Sequence, residues 1–392
     1  MTEAREFDII VYGASGFTGR LVAEYLHKQY GSETAPKWAM GGRSLEKLAA
    51  VRDEMGLPAT TALVTADADD PDSLAAMAKR ARVILTTVGP YQLYGSGLVA
   101  ACAATGTDYV DLCGEPNWMH AMIEAHSAEA ERTGARIVFS CGFDSIPTDL
   151  GILVLQNEAE KRFGKPVPRV KGRVRAMNGT FSGGTAASMK ATMAAAQKDP
   201  SVIGVLTNPF SLAGGFQGPE QPTGMSVELD PSLDMWVAPF VMATINTKTV
   251  HRSNALMDHA YGAGFVYDEM MVTGPGENGK AMAEAMASGP PLGGGDGPKP
   301  GEGPSKDERE NGNYDILYIG IAENGDEIRV GVTGDKDPGY GSTSKMLAEA
   351  AICLIEDCAD TSGGIWTTAP AMGEKLVSRL KANAGMTFEI EA

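Results

Sequence analysis

The stretch Asp8-Ile-Ile-Val-Tyr-Gly-Ala-Ser-Gly-Phe-Thr-Gly-Arg20 constrains this chain more than any other. An apolar run too short for a helix leads straight into Gly13, Gly16 and Gly19, after which the pattern turns amphipathic through Leu21, Val22, Tyr25 and Leu26. That order is strand, glycine turn, helix start. Gly13 permits the sharp turn out of the strand, Gly16 lets backbone N–H groups approach a pyrophosphate, and Gly19 lets the helix pack closely on the sheet. The helix N-terminus then faces the anion, with Ser15, Phe17 and Thr18 completing the loop as cofactor-binding candidates. The spacing is GxxGxxG, offset from the commoner GxGxxG. A glycine triplet by itself also serves as a bare turn, so the flanking strand and helix carry the dinucleotide reading.

Further strands follow at the spacing of a doubly wound fold. Lys37-Trp-Ala-Met-Gly-Gly-Arg-Ser44 reads as a second strand ending at Gly41-Gly42. An enzyme using NAD usually places an acidic residue there for the ribose 2′-hydroxyl; Arg43 stands in its place, followed by Ser44. A guanidinium suits a 2′-phosphate, which favours NADP(H), although Arg43 could also simply open a solvated helix. Residues 61–67 form a third strand, with Asp67 either at the adenine ring or in the turn before Pro71. Residues 82–88 form a fourth, and Gly89-Pro90-Tyr91 at its carboxyl end lies where open α/β sheets place ligands. Residues 108–113 and 136–140 add two more strands, the latter running into Cys141-Gly-Phe-Asp-Ser-Ile-Pro147. Alternation of this kind predicts an α/β Rossmann-type doubly wound parallel sheet, closing near residue 145.

Composition excludes several classes of function. The formal charge of −17 argues against a nucleic-acid surface. No apolar run approaches the ~18 residues of a spanning helix, and the polar, acidic start is unlike a signal peptide, so the expected location is cytoplasmic, with peripheral contact to membrane or lipid left open. The five cysteines, Cys102, Cys113, Cys141, Cys353 and Cys358, show no paired spacing that would indicate a disulfide framework or a metal site.

From Gly151 the alternation breaks down. Residues 169–176 read as a half-exposed strand, and Ser182-Gly-Gly-Thr185 opens a helix and is either a second anion site or an ordinary helix start. Residues 208–240 read as irregular loops lining an apolar pocket, with Phe210, Phe216, Trp236 and Phe240 at intervals. His251 and Arg252 are expected between a strand and a helix, where they could meet a carboxylate or thioester. The segment 274–312 is rich in Gly and Pro around 290–304 and reads as a long mobile loop. Residues 314–321 and 327–332 make the clearest hairpin, turning through Glu323-Asn-Gly-Asp326, and helices follow at 344–358 and 374–382. The second domain, 146–340, is therefore mixed α+β, with 341–392 as C-terminal helices.

Taken together, Gly-Ala-Ser-Gly-Phe-Thr-Gly-Arg at 13–20, Gly-Gly-Arg-Ser at 41–44, Val-Gly-Pro-Tyr at 88–91, Tyr-Val-Asp-Leu-Cys-Gly-Glu at 109–115 and Cys-Gly-Phe-Asp-Ser-Ile-Pro at 141–147 resemble the saccharopine dehydrogenase-like oxidoreductases. With Pro-Gly-Glu-Gly-Pro-Ser at 300–305, Asp-Pro-Gly-Tyr at 337–340 and Gly-Gly-Ile-Trp-Thr-Thr-Ala-Pro at 363–370, the resemblance narrows to the branch of the mycobacterial trans-acting enoyl reductases. It implies a C-terminal segment that returns toward the nucleotide domain, reduction of an enoyl bond in a lipid or polyketide acyl substrate, and a synthase or lipid-surface partner.

The absence of a metal cluster or Ser-His-Asp signature from the sequence favours hydride transfer over hydrolysis. Tyr91 leads the proton-donor candidates because it follows the strand end expected to face the nicotinamide; Asp144 and Ser145, on a neighbouring strand end, come next, although Asp144 could only cap the following helix. Two other readings stay open. One is a saccharopine dehydrogenase-type amino-acid enzyme; the other is a non-catalytic NADPH sensor or docking module.

Overall fold

The computed structural model describes residues 5–31, 36–180, 182–289, 299 and 301–392. The first half alternates strictly: β1 (Phe7–Tyr12), α1 (Phe17–Tyr30), β2 (Trp38–Gly42), α2 (Leu45–Glu54), β3 (Ala62–Thr65), α3 (Pro71–Ala78), β4 (Ala81–Thr86), α4 (Tyr91–Tyr94), α5 (Ser96–Thr105), β5 (Asp108–Val110), α6 (Pro116–Thr133), β6 (Arg136–Val138) and α7 (Ile146–Phe163). Ile9, Ile10 and Val11 of β1 are all fully buried, as expected for a central parallel strand covered on both faces. Proline in the first turn of α3, α6 and α7, and left-handed Gly106, Gly134 and Gly164 after α5, α6 and α7, punctuate the helices.

The remainder contains β7 (Arg169–Asn178), α8 (Gly183–Lys198), α9 (Ser201–Thr207), β8 (Glu228–Asp230), β9 (Met235–Pro239), α10 (Ala243–Leu256), β10 (Val266–Gly274), α11 (Gly276–Ser288), α12 (Lys306–Asn311), β11 (Asn313–Ile321) and β12 (Glu327–Gly334). A π-helical turn at Pro338–Ser342 then leads into α13 (Thr343–Glu356), β13 (Gly364–Trp366), α14 (Thr368–Asn383) and β14 (Met386–Glu391).

These strands build two seven-stranded sheets. The first is wholly parallel in the order β13-β6-β5-β4-β1-β2-β3, the Rossmann-type sheet expected. Its order reverses between β1 and β4, which opens a crevice beyond the strands' carboxyl ends. The second, β14-β12-β11-β7-β10-β9-β8, is mixed, with β7 and β10 parallel and its other pairs antiparallel. Its hairpin turns at Gly325, whose φ of +89° suits glycine.

The C-terminal stretch serves both sheets. β13 extends the first beyond β6, β14 pairs with β12 in the second, and α13 packs on α1 and on β1, β4 and β5. Apart from Lys345, every residue of α13 from Thr343 to Ile355 is buried, because sheet, α1 and α14 surround it. Within it Glu349, fully buried, accepts hydrogen bonds from the Tyr25 and Tyr30 hydroxyls of α1. One apolar core runs from the first sheet through α7, α13 and α14 into the second.

Three expectations need correction. The segment 274–312 is not one long loop: α11 forms because Ala, Met and Glu dominate 281–286, and α12 because Ser305 and Glu308 make a reciprocal capping box; residues 290–298 and 300 lie outside the described residues. His251 and Arg252 sit inside α10 rather than at a strand–helix junction. Residues 208–240 contain β8 and β9, and Phe210 packs on Phe216 and on the His251 ring of α10 instead of standing free as a pocket wall.

Candidate functional site

At the mouth of the crevice the chain leaves β1 through Gly13, whose φ is +93° and whose N–H donates to Gly41 O at 2.9 Å. A Cβ on Gly13 would come within 2.8 Å of Thr87 Oγ1 and Val88 Cγ2, and one on Gly19 within 2.2 Å of Gly13 O. Both glycines are thus required by close approach, loop to strand end at one and helix to loop at the other. Gly16 is the N-cap of α1 without a side-chain cap, and no acidic residue stands in the first turn. The leading amides of the helix, at Phe17, Thr18 and Gly19, are therefore available to an anion in a field that favours one.

Beyond β2, Arg43 is exposed and forms no ion pair among the described residues. Ser44 caps α2, its Oγ accepting from Lys47 N at 3.2 Å. Asp67 lies just beyond β3, where its carboxylate accepts from Asp69 N at 3.1 Å. Arg43 and Asp67 both act on Tyr12, whose hydroxyl burial pushes up to about 12 and which donates to Ala66 O. The ends of β2 and β3 thus meet in one place, with a free guanidinium beside them.

The other side of the crevice is walled by elements distant in sequence. Tyr340, in the π-helical turn, meets the Phe17 ring edge-on at 5.2 Å, and Arg309 stacks over the same ring. The Tyr340 hydroxyl accepts from Ser182 N at 2.6 Å and lies 3.1 Å from Thr185 Oγ1, anchoring the start of α8. Ser182 caps that helix with its own hydroxyl and Gly183 N donates to Glu302 O, so the second glycine loop is an ordinary helix start. At its middle, α8 is tied to the Gly89 region: Ser188 Oγ donates to Glu115 Oε1 at 2.7 Å, and Gln92 Nε2 donates to Thr192 Oγ1 at 3.0 Å. Glu115, almost fully buried, also receives Tyr91 N and Gln92 N, fixing the turn Gly89-Pro90-Tyr91 against α8. In the sequence Glu115 stands out only as the last residue of the 109–115 motif. A carboxylate directly before the proline that opens α6 was the available clue, whereas nothing local marks Ser188.

The proton-donor candidates separate on geometry. Tyr91 is buried against Trp118, donates its hydroxyl to Thr86 O and accepts Leu112 N, so it braces the strand ends and faces no crevice. Ser145 is buried too, its Oγ donating to Thr249 Oγ1 at 3.2 Å. Asp144 differs from both. It is partly exposed, its carboxyl makes no hydrogen bond among the described residues, and a Cβ on Gly114, in the loop between β5 and α6, would stand 3.2 Å from its Oδ2. It does not cap α7, whose N-cap is Ser145 without a side-chain bond. Burial, and then the charge of Glu269, push its carboxyl up to about 7. Arg252 is no substrate ligand either, since its guanidinium donates to Leu212 O and Ile365 O, while burial drives the His251 imidazole down to about 4.

Glycines that a Cβ would displace, an uncapped helix start and an unpaired guanidinium at the end of β2 fit a dinucleotide bearing a 2′-phosphate. Residues 9–138 match the family model described as the saccharopine dehydrogenase NADP binding domain. A trans-acting enoyl reductase type protein of Mycobacterium tuberculosis is 40% identical, with 98% of this chain and 97% of that one aligned. The trans-acting enoyl reductase of Mycobacterium ulcerans is 38% identical over 96% of each. The chain belongs to the trans-acting enoyl reductase family. As a member of it, the chain is an NADP-dependent oxidoreductase. In fold it is similar to the apo saccharopine dehydrogenase (L-Glu forming) of Saccharomyces cerevisiae, with a TM-score of 0.50 at 12% identity, covering 98% of this chain and 100% of that one. Among the described residues no helix is long and apolar enough to cross a membrane.

A guanidinium on a phosphate contributes charge-assisted hydrogen bonds worth about 1.5–3 kcal/mol. Arg43→Ala is therefore expected to weaken NADPH binding roughly ten- to a hundredfold while leaving NADH binding nearly unchanged. Parallel fluorescence titrations with the two nucleotides measure this, and an equal loss for both would remove Arg43 from the 2′-phosphate.

Proposed function

We propose that this protein reduces the carbon–carbon double bond of an acyl chain presented as a thioester on a synthase, with Asp144 as the proton donor. The partly exposed Asp144 carboxyl, beside Gly114 and without a hydrogen-bond partner among the described residues, is the observation that carries this reading. NADPH, when bound, supplies the hydride. The chain's own work is to hold the nucleotide by Gly13, Ser15, Gly16, Phe17, Thr18 and Gly19, to meet its 2′-phosphate with Arg43 and Ser44, and to present Gly89 and Pro90 beside the reacting end. Asp144 then gives its proton to the second carbon of the double bond and becomes a carboxylate. Its raised pKa suits the task, because an acid that still carries its proton near neutrality can donate it there. α8, tied across the crevice from Tyr340 to Glu115, helps keep water from the reacting atoms.

The names of the relatives support the reaction class and a substrate that arrives on another protein. An amino-acid dicarboxylate substrate is disfavoured, because the Arg252 guanidinium is buried and its two terminal nitrogens donate to backbone carbonyls. The test is NADPH consumption with enoyl thioesters carried on coenzyme A and on an acyl carrier protein, beside a panel of amino acids and keto acids. Reduction of an enoyl thioester, faster on the carrier protein, is expected. Binding of NADPH with no turnover of any enoyl thioester would replace the reductase reading with that of a nucleotide-binding docking protein.

A further inference from the structure

The nucleotide loop is walled by a stretch from the far half of the chain, and that wall carries a cation. Ser305 and Glu308 cap α12 reciprocally, Glu308 Oε2 accepting from Ser305 N and Oγ at 2.7 Å, which fixes the helix start beside Pro304. Arg309 follows on that helix. Its Nη1 donates to Pro304 O, its carbonyl accepts from Asp337 N at 3.1 Å, and its guanidinium lies over the Phe17 ring, 5.4 Å from the centroid. The same ring meets Tyr340 edge-on, and a Cβ on Gly303 would stand 2.5 Å from its Cε1 and Cζ. Phe17 is the first residue of α1, directly after Gly16. The clamped ring therefore belongs to the residue whose own amide leads the helix.

The acidic groups around Arg309 are committed to other partners. Glu308 is held by Ser305, Glu310 pairs with Lys306, and Asp337, which feels the Arg309 charge, accepts from Tyr340 N at 3.1 Å and Gly341 N at 2.6 Å. Among the described residues Arg309 forms no ion pair, and its Nε and Nη2 make no hydrogen bond. Arg20, the basic residue of the glycine loop itself, is taken up by Glu54. A pyrophosphate brings two negative charges to this loop, and the helix end answers them with only about half a positive charge.

We propose that Arg309 binds the pyrophosphate of NADPH, reaching the nucleotide loop from α12 and adding a full positive charge to the site that the Gly13–Gly19 backbone begins. The inference rests on that loop being the phosphate site, and it is independent of the choice of proton donor. Held by Pro304 O through one nitrogen and set against the Phe17 ring, the guanidinium keeps Nε and Nη2 for phosphate oxygens. That packing also limits the side-chain freedom lost when the nucleotide binds. The two arginines then divide the ligand. Arg43 meets the phosphate that only NADPH carries, and Arg309 meets the part that NADPH and NADH share.

The experiment is titration of Arg309→Met with NADPH, with NADH, and with adenosine 2′-monophosphate, which keeps the 2′-phosphate but lacks the pyrophosphate. Arg309 is half-exposed and Met keeps an apolar stem against Phe17, so the fold is expected to survive, as a thermal melt checks. NADPH and NADH should weaken by the same factor, roughly ten- to a hundredfold, with adenosine 2′-monophosphate within about twofold of the wild type. Arg309→Lys, which keeps the charge without the planar fork, should recover part of the loss. Unchanged affinity for both dinucleotides would leave Arg309 as a support for Phe17 and overturn the proposal. So would a loss confined to NADPH, which belongs to the 2′-phosphate, or an equal loss for adenosine 2′-monophosphate, which belongs to the fold of the loop. Gly19→Ala, titrated beside it, separates the two failures. If Gly19→Ala binds NADPH like the wild type, the glycine loop is not the phosphate site; if it loses affinity while Arg309→Met does not, Arg309 alone is excluded.

Discussion

Gly19→Ala is expected to abolish useful NADPH binding while leaving the fold in place. The added Cβ would lie 2.2 Å from Gly13 O, 2.7 Å from Gly13 C and 2.8 Å from Ala14 Cα, all of them backbone atoms. No flexible side chain can give way, so either α1 or the glycine loop must move. Overpacking of this kind costs about 1–3 kcal/mol of stability, and the displacement carries the amides of Phe17 and Thr18 out of register with the phosphates. A fall in NADPH affinity of roughly a hundredfold or more follows, against a melting temperature lowered by about 2–4 °C. Gly204→Ala on α9 is the comparison, because a Cβ there meets nothing within 4 Å. Equal NADPH affinity in Gly19→Ala and wild type would remove the glycine loop from the phosphate site.

Asp144→Asn should bind NADPH like the wild type and reduce enoyl thioesters about 10²- to 10⁴-fold more slowly, the usual range for loss of a general acid. The amide has nearly the shape of the carboxyl but no acidic proton, and no hydrogen bond among the described residues is lost with it. In the wild type, turnover should hold at pH values below about 7 and fall as pH rises through that value, because the acid must be protonated to act and its pKa is raised. Tyr91→Phe separates this assignment from its rival. Removing the hydroxyl forfeits the bonds to Thr86 O and Leu112 N, costs about 1 kcal/mol of stability, and should leave kcat within a few fold. A Tyr91→Phe enzyme without turnover, beside an active Asp144→Asn enzyme, would reverse the two roles.

The parts of this molecule that sequence could reveal are those decided by neighbours in the chain. β1, the glycine turn and α1 were legible because period, turn residues and helix start all fall within residues 8–26. The β11–β12 hairpin was legible for the same reason, Asn324-Gly325 standing between two alternating runs. The surroundings of Tyr91 and Asp144 were not, because both lie beyond strand ends and only the fold decides which of them is taken up by hydrogen bonds. Tyr91 is taken up by a backbone amide 21 residues away, a pairing that no local pattern encodes. Glu269 stood beside Asp268 in the strand with nothing local to mark it as buried, and its partners Thr148 and Asn246 come from two different helices. α11 was hidden by the Gly and Pro composition that begins immediately after it.

The division of labour at the C-terminus bears on how the chain reaches this state. The edge of β6 gains its partner only when residues 364–366 arrive, more than two hundred positions later in the chain, and the face formed by β1, β4 and β5 gains its cover only with α13. Until then the first sheet offers an open parallel edge and bare apolar surface, the features that invite intermolecular pairing. Contacts so far apart in sequence also slow the search for the native state. Assembly should therefore be late and concerted, with the two sheets melting in one cooperative transition and neither persisting as an autonomous folding unit.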